Sequence, residues 1–163
     1  MDLGYLKIKI DIKSEYDEYK KKYDFKRKEI KKEEIKKIFE GFKEFFKLDG
    51  NFKFKETDHT MIAEYRDHAI TLDIDIYKNT DAPGFDIEGL IKTYEKEVYE
   101  FVVAGITGDD TSHAPYIDDQ ERMIQETRKF KEFLEGDSTF TYRYIVKGSE
   151  KSYGTMQEMM LGL

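Results

Sequence analysis

Asn51-Phe-Lys-Phe-Lys-Glu56, Thr60-Met-Ile-Ala-Glu-Tyr65 and Ala69-Ile-Thr-Leu-Asp-Ile-Asp-Ile-Tyr77 are three neighbouring runs in which apolar and polar residues alternate. A period of two places successive side chains on opposite faces of a strand. With Thr57-Asp58 and Arg66-Asp67 as turns, tight antiparallel pairing sets Phe54 opposite Met61 and Phe52 opposite Ala63. It also sets Met61 opposite Leu72, Ala63 opposite Ile70 and Tyr65 opposite His68. All of these fall on one face, and a slip by one residue would turn them to solvent. The stretch 51–77 therefore reads as a three-stranded meander. Its other face, with Lys53, Lys55, Glu64, Asp73 and Asp75, is mostly polar and at least partly wet.

Working outward, Ile35, Ile38, Phe42, Phe45 and Phe46 recur at helical spacing, with Lys and Glu opposite and Gly50 just beyond. They predict an amphipathic helix ending near Lys47. Upstream, Leu6, Ile8, Ile10 and Ile12 alternate with charged residues and predict a strand. Between them, residues 14–29 support two readings: Tyr16, Tyr19 and Tyr23 are helically spaced, whereas Tyr23 to Lys26 reads as a short strand. Downstream, Asp81-Ala82-Pro83-Gly84 is a turn and Asp86 a candidate N-cap. Ile87, Leu90, Ile91, Tyr94, Val98, Phe101 and Val102 then suggest a second helix with Gly105 as its stop. A loop over 106–116, a third helix from Asp118 or Asp119 to Leu134, a strand over 140–146 and a short methionine-rich helix in 155–163 complete the reading. Strands grouped together, with helices apart, indicate an α+β fold. The expectation is one domain over residues 1–163, with an antiparallel sheet of four to six strands packed on two to four amphipathic helices.

At 163 residues the chain is long enough to bury a substantial core. It has no cysteine, which excludes disulfides, zinc–thiolate sites and thiol catalysis. Neither a signal-peptide pattern nor a bilayer-spanning apolar run is visible, so a cytoplasmic protein (or one working in a host-cell cytoplasm) is expected. Twelve Phe and twelve Tyr make up for the scarcity of aliphatic residues. The charge is uneven. Residues 1–55 carry 17 basic and 12 acidic side chains, whereas acidic residues dominate the remainder and bring the whole to −7.

Three groups of residues suggest chemistry. Asp109, Asp110 and His113, in a loop rich in Gly and small polar residues, are a candidate set of ligands for a divalent metal. Asp73 and Asp75 share a strand face with Glu64, as carboxylates that bind magnesium or work as an acid–base pair do. Lys20, Lys21, Lys22, Tyr23, Lys26 and Arg27 interleave cations with an aromatic residue, as a nucleic-acid surface does. Each pattern has a plainer explanation: polar loop residues make turns, strand acids are solvated, and tyrosines three and four apart form a core seam. Scarce arginine and net acidity disfavour nucleic acid as the partner. No serine-hydrolase elbow and no phosphate-binding loop is present, and no cofactor is indicated.

The expected function is therefore a non-catalytic interaction with another protein, through an acidic C-terminal surface or exposed aromatic residues. Asp109, Asp110, Asp118, Asp119 and Glu121 are the candidate acidic contacts. In size and charge the chain resembles small acidic proteins of mobile elements that inhibit defence or nucleic-acid enzymes, such as anti-CRISPR and toxin-immunity proteins, although no motif carries that likeness. A metal-dependent hydrolase or nuclease using Asp109, Asp110 and His113, and a nucleic-acid binder through residues 13–37, are the alternatives.

Overall fold

The computed structural model describes residues 1–106, 115–136 and 141–163. In chain order the elements are α1 (Leu3–Lys47), β1 (Lys53–Glu56), β2 (Thr60–Tyr65), β3 (His68–Asp73), α2 (Ile76–Asp81), β4 (Ile87–Lys92) and β5 (Val98–Ile106). They continue with α3 (Asp119–Glu135), β6 (Thr141–Val146), β7 (Ser152–Tyr153) and α4 (Met156–Gly162). All seven strands form one antiparallel sheet in sequential order, β1 to β7. The class is α+β, with more strands than the sequence indicated.

Contacts divide the chain into two compact units. One comprises Met1–Arg27 and Gly108–Thr139, the other Lys28–Thr107 and Phe140–Leu163.

In the second unit the sheet presents one apolar face. Met61, Ala63, Leu72, Ile87, Ile91, Phe101, Val103 and Tyr144 are buried there against Ile35, Ile38, Phe42 and Phe46 of α1 and Met156, Met159 and Met160 of α4. The meander exists, and β2 pairs with β3 in the expected register: Met61 with Leu72, Ala63 with Ile70, Tyr65 with His68. The β1–β2 pairing is shifted by two residues, with Phe54 opposite Ala63 and Glu56 opposite Met61. A two-residue shift preserves the faces, so hydrophobic alternation cannot detect it. The turn sits one residue further along than assumed, at Asp58-His59, closed by the Thr57 amide donating to the Thr60 carbonyl at 2.9 Å. The third run also stops early, because the Asp75 side chain accepts from the Lys78 amide and caps α2.

Two expectations are overturned. Residues 6–12 are helical, as is the undecided stretch 14–29; both belong to α1. At 100° per residue, Tyr5, Ile8 and Ile12 lie on the stripe that continues to Tyr16, Tyr19 and Tyr23, whereas Leu3, Leu6 and Ile10 lie on another. The alternation in 6–12 is two helical stripes, and a helix needs no partner strand for its backbone. The predicted helix over 86–105 is instead the β4–β5 hairpin. Ile87 faces Val103, Gly89 faces Phe101 and Ile91 faces Tyr99. Asp86 caps no helix and accepts from the Gly105 amide at 3.1 Å. Gly89 clears space for a ring: a Cβ there would come within 2.6 Å of Phe101.

A buried cation joins α1 to the sheet. Lys31 is fully inaccessible, and its ammonium donates to the carbonyls of Asn79 (2.7 Å) and Ala82 (3.1 Å) at the C-terminal end of α2. A cation on terminal helix carbonyls satisfies acceptors that have no intrahelical partner. Asn79 in turn clamps β4, donating to Glu88 O (3.0 Å) and accepting from Glu88 N (2.8 Å).

Replacing Lys31 by Met keeps the stem and removes the donors. It is expected to destabilise the protein by about 1–3 kcal/mol, the cost of stranding buried acceptors, read as a lowered urea midpoint. The β2–β3 turn offers the opposite test. Arg66 and Asp67 both have positive φ (49° and 63°), as a type I′ turn demands, yet neither is glycine. The pair Arg66→Asn with Asp67→Gly is expected to raise stability by about 1 kcal/mol or more, seen as a higher Tm.

Candidate functional site

In the first unit, α1 and α3 are joined through the tyrosine seam. Tyr23 stacks on Phe130 (ring centroids 4.7 Å apart) and meets Phe133 edge-on at 5.0 Å. Arg122 donates to the Tyr16 hydroxyl at 3.2 Å and sits over that ring. Lys26 donates to the Phe133 carbonyl at 3.0 Å, and Lys131 pairs with Glu15. Burial pushes the Tyr23 hydroxyl above its ordinary pKa, with Arg27 opposing and Asp24 adding to the rise. Of the segment proposed to stack on bases, Tyr23 is thus occupied inside the unit and Arg27 is buried. Lys22 pairs with Glu18 at 3.1 Å, and Lys20 lies over the Tyr16 ring. Lys21 and Lys22 remain on the surface. With Tyr19, Phe25, Lys26 and Leu134 they line an open groove of about 650 Å³. Phe25 is 69% exposed in it, a large apolar side chain with water on most of its surface.

The acidic residues at the start of α3 serve that helix. Asp118 is the N-cap and accepts from the Glu121 amide at 2.8 Å, while the Glu121 carboxylate accepts from the Ile117 amide at 2.7 Å. Asp119 accepts from Arg122 at 2.9 Å. These are the reciprocal bonds of a capped helix start, and acids there also complement the helix dipole. Asp109, Asp110 and His113 lie outside the described residues. Among the described residues, no three His, Asp or Glu side chains converge as metal ligands, and no helix is long and apolar enough to span a membrane.

The strand acids also have structural partners. Asp73 accepts from the Thr60 hydroxyl at 2.7 Å, Asp75 caps α2, and Glu64 pairs with Lys55 at 3.3 Å. His59 Nδ1 accepts from the Ile76 amide at 3.1 Å, and His68 packs edge-on against Tyr94.

A site that sequence reasoning missed lies in the second unit. Glu34, Lys37, Gly41 and Glu44 of α1, Thr141, Tyr142 and Tyr144 of β6, and Gly154 to Gln157 line a cleft of about 590 Å³. The Glu34 side chain is only 13% exposed, yet its carboxylate makes no hydrogen bond among the described residues. Its ionic partner is Lys37 at 4.0 Å, whose own side chain is 69% exposed. Burial raises the Glu34 pKa, and Lys37 offsets the rise in part. Burial also pushes Tyr142 up to about 12, with Glu34 and Asp86 adding to the effect. Tyr144 is raised further, again chiefly by burial. In sequence Glu34 is one of many acids in a Lys/Glu-rich helix, and nothing local separates it from Glu33. Comparison of the chain with protein-family models, curated proteins and solved structures finds no match.

Because its pKa is raised in the fold, Glu34 favours the folded state while neutral. That contribution is present below the ordinary carboxylate range and is lost as pH rises through the shifted value. Glu34→Gln, which stays neutral, is expected to melt at a higher temperature than wild type at pH 8 and to match it near pH 4. A lower Tm for the variant at pH 8 would show that attraction to Lys37 outweighs burial.

Proposed function

We propose that this chain is a non-catalytic interaction protein. Its contact surface is the Phe25 groove of the first unit, and its partner is a protein segment carrying an apolar stripe beside acidic residues. The observation that carries this reading is Phe25 itself. An aromatic ring 69% exposed and bordered by Tyr19 and Leu134 contributes little to the fold. Buried aromatic anchors are the side chains that dominate protein interfaces. Lys21, Lys22 and Lys26 along the groove supply charge complementarity to acidic residues, which favours rapid encounter and correct orientation. This is the exposed-aromatic form of the interaction anticipated from composition; the acids at the start of α3 are engaged in capping it.

A protein partner is favoured over nucleic acid because the chain is acidic overall and two of the four aromatic side chains of the lysine-rich segment 13–37 are turned inward. Tyr16 is buried, and Tyr23 is packed between Phe130 and Phe133. What the groove offers is an apolar strip with a few lysines, the chemistry of a helix-in-groove contact.

The test compares wild-type protein, Phe25→Asp and the Lys21→Glu/Lys22→Glu pair as baits at about 0.1 M and 1 M salt, the higher value leaving a Debye length of about 3 Å. Phe25 and Lys21 are exposed, so both variants are expected to keep the wild-type Tm within about 1 °C, as surface changes do. A protein retained by wild type and lost from both variants supports the groove. The same proteins on all three baits, or capture abolished only by nuclease, would overturn it.

A further inference from the structure

We infer that the cleft built on Glu34 in the second unit is a binding site for a guanidinium group. The inference is independent of the Phe25 groove and concerns residues that the proposed partner need not touch.

Three observations lead to it. The first is the state of Glu34. Most of its side chain is buried, and a charge drawn partly out of water gains from a partner that hydrogen-bonds it. Glu34 accepts none among the described residues, and its counter-ion stands at 4.0 Å on a mostly solvated lysine. It is one of the residues that line the cleft.

The second is the chemistry of the walls. Tyr142 and Tyr144, at adjacent inward positions of β6, line the same cleft. Tyrosine rings attract cations, and they suit the flat, weakly hydrated guanidinium better than the compact ammonium. Carboxylate and planar fork also match in geometry, two parallel N–H donors meeting two oxygens. Thr141, Thr155 and Gln157 place further oxygen atoms around the space, and Glu44 adds a second negative charge at its margin.

The third is that the space is built into the fold. Gly41 faces α4 so closely that a Cβ there would lie 2.9 Å from the Met156 side chain. Glycine at 41 lets the two helices approach, and their meeting forms one end of the cleft. Its volume of about 590 Å³ falls in the range of small-ligand sites.

Lys37 is then a competitor. Its ammonium is the cation now nearest Glu34, and an entering guanidinium displaces it toward water, where most of its side chain already lies. Removing that competitor should strengthen binding, which is the reverse of the loss expected when a structural residue is deleted.

The experiment titrates ethylguanidinium chloride into the full-length protein, at ionic strength held constant with sodium chloride, and follows the tyrosine ring and Glu side-chain resonances by NMR. Saturable shifts of the Tyr142, Tyr144 and Glu34 signals are expected, with weaker affinity for ethylammonium. Glu34→Gln should lose at least tenfold in affinity while melting no lower than wild type at pH 8. Lys37→Met, altered at an exposed position, should bind more tightly than wild type. Repeating the titration with the peptide Gly-Gly-Arg-Gly-Gly separates two sources of the group: tighter binding than ethylguanidinium assigns the cleft to an arginine within a chain, and equal binding to a free guanidinium compound. No saturable shift at tens of millimolar, or equal affinity in the Glu34→Gln variant, would overturn the assignment.

Discussion

One buried ammonium organises the sheet-bearing part of this protein. Lys31 leaves water completely, at a cost that only well-placed acceptors can offset. The carbonyls that receive it belong to the last turn of α2, a six-residue helix too short to persist alone. That helix is held at its other end by Asp75, and in its middle Asn79 binds both backbone groups of Glu88. A single charge thereby fixes the rotation of α1, the position of α2 and the entry of the chain into β4. The aromatic ridge of Phe42 and Phe46, about three and four turns further along the same helix, then meets the sheet in one register.

The legible parts of the fold were those where two independent signals agreed. The β2–β3 hairpin has both alternation and a two-residue turn, and its register is as expected. The third helix carries a cap, a periodic stripe and a stop, and α3 begins with Asp118 as its N-cap. Where alternation stood alone it misled. Leu6 to Ile12 matches a strand, yet the sheet edges are β1 and β7 and the segment joins α1. The opposite error occurred at 87–102, where spacings of three and four coincide with a hairpin whose inward residues are Ile87, Gly89, Ile91, Tyr99, Phe101 and Val103. The density of β-branched and aromatic residues over 98–103 was the unused signal there.

The candidate sites were less legible for a physical reason. A charged residue acquires unusual chemistry from what surrounds it, and neighbours in space are not neighbours in sequence. Glu34 is distinguished by β6, more than a hundred positions away, with which it lines a cleft. Asp118 and Glu121, conspicuous as a cluster, are accounted for by bonds within one helical turn. Phe25 was visible as an aromatic residue among lysines, but only the fold separates it from Tyr23, two positions before it, which is packed away.

The sequential order of the sheet bears on how the protein comes into being. Each strand pairs with the one made just before it, so the ladder can lengthen hairpin by hairpin as the chain leaves the ribosome. Contacts between near neighbours in sequence close small loops at little entropic cost and favour rapid folding. Helices interrupt the ladder twice: the short α2 between β3 and β4, and the longer α3 between β5 and β6, where elongation must pause. Until β6 arrives, β5 is the growing edge, and its row of unpaired amides and carbonyls is the surface that a nascent chain would most need shielded.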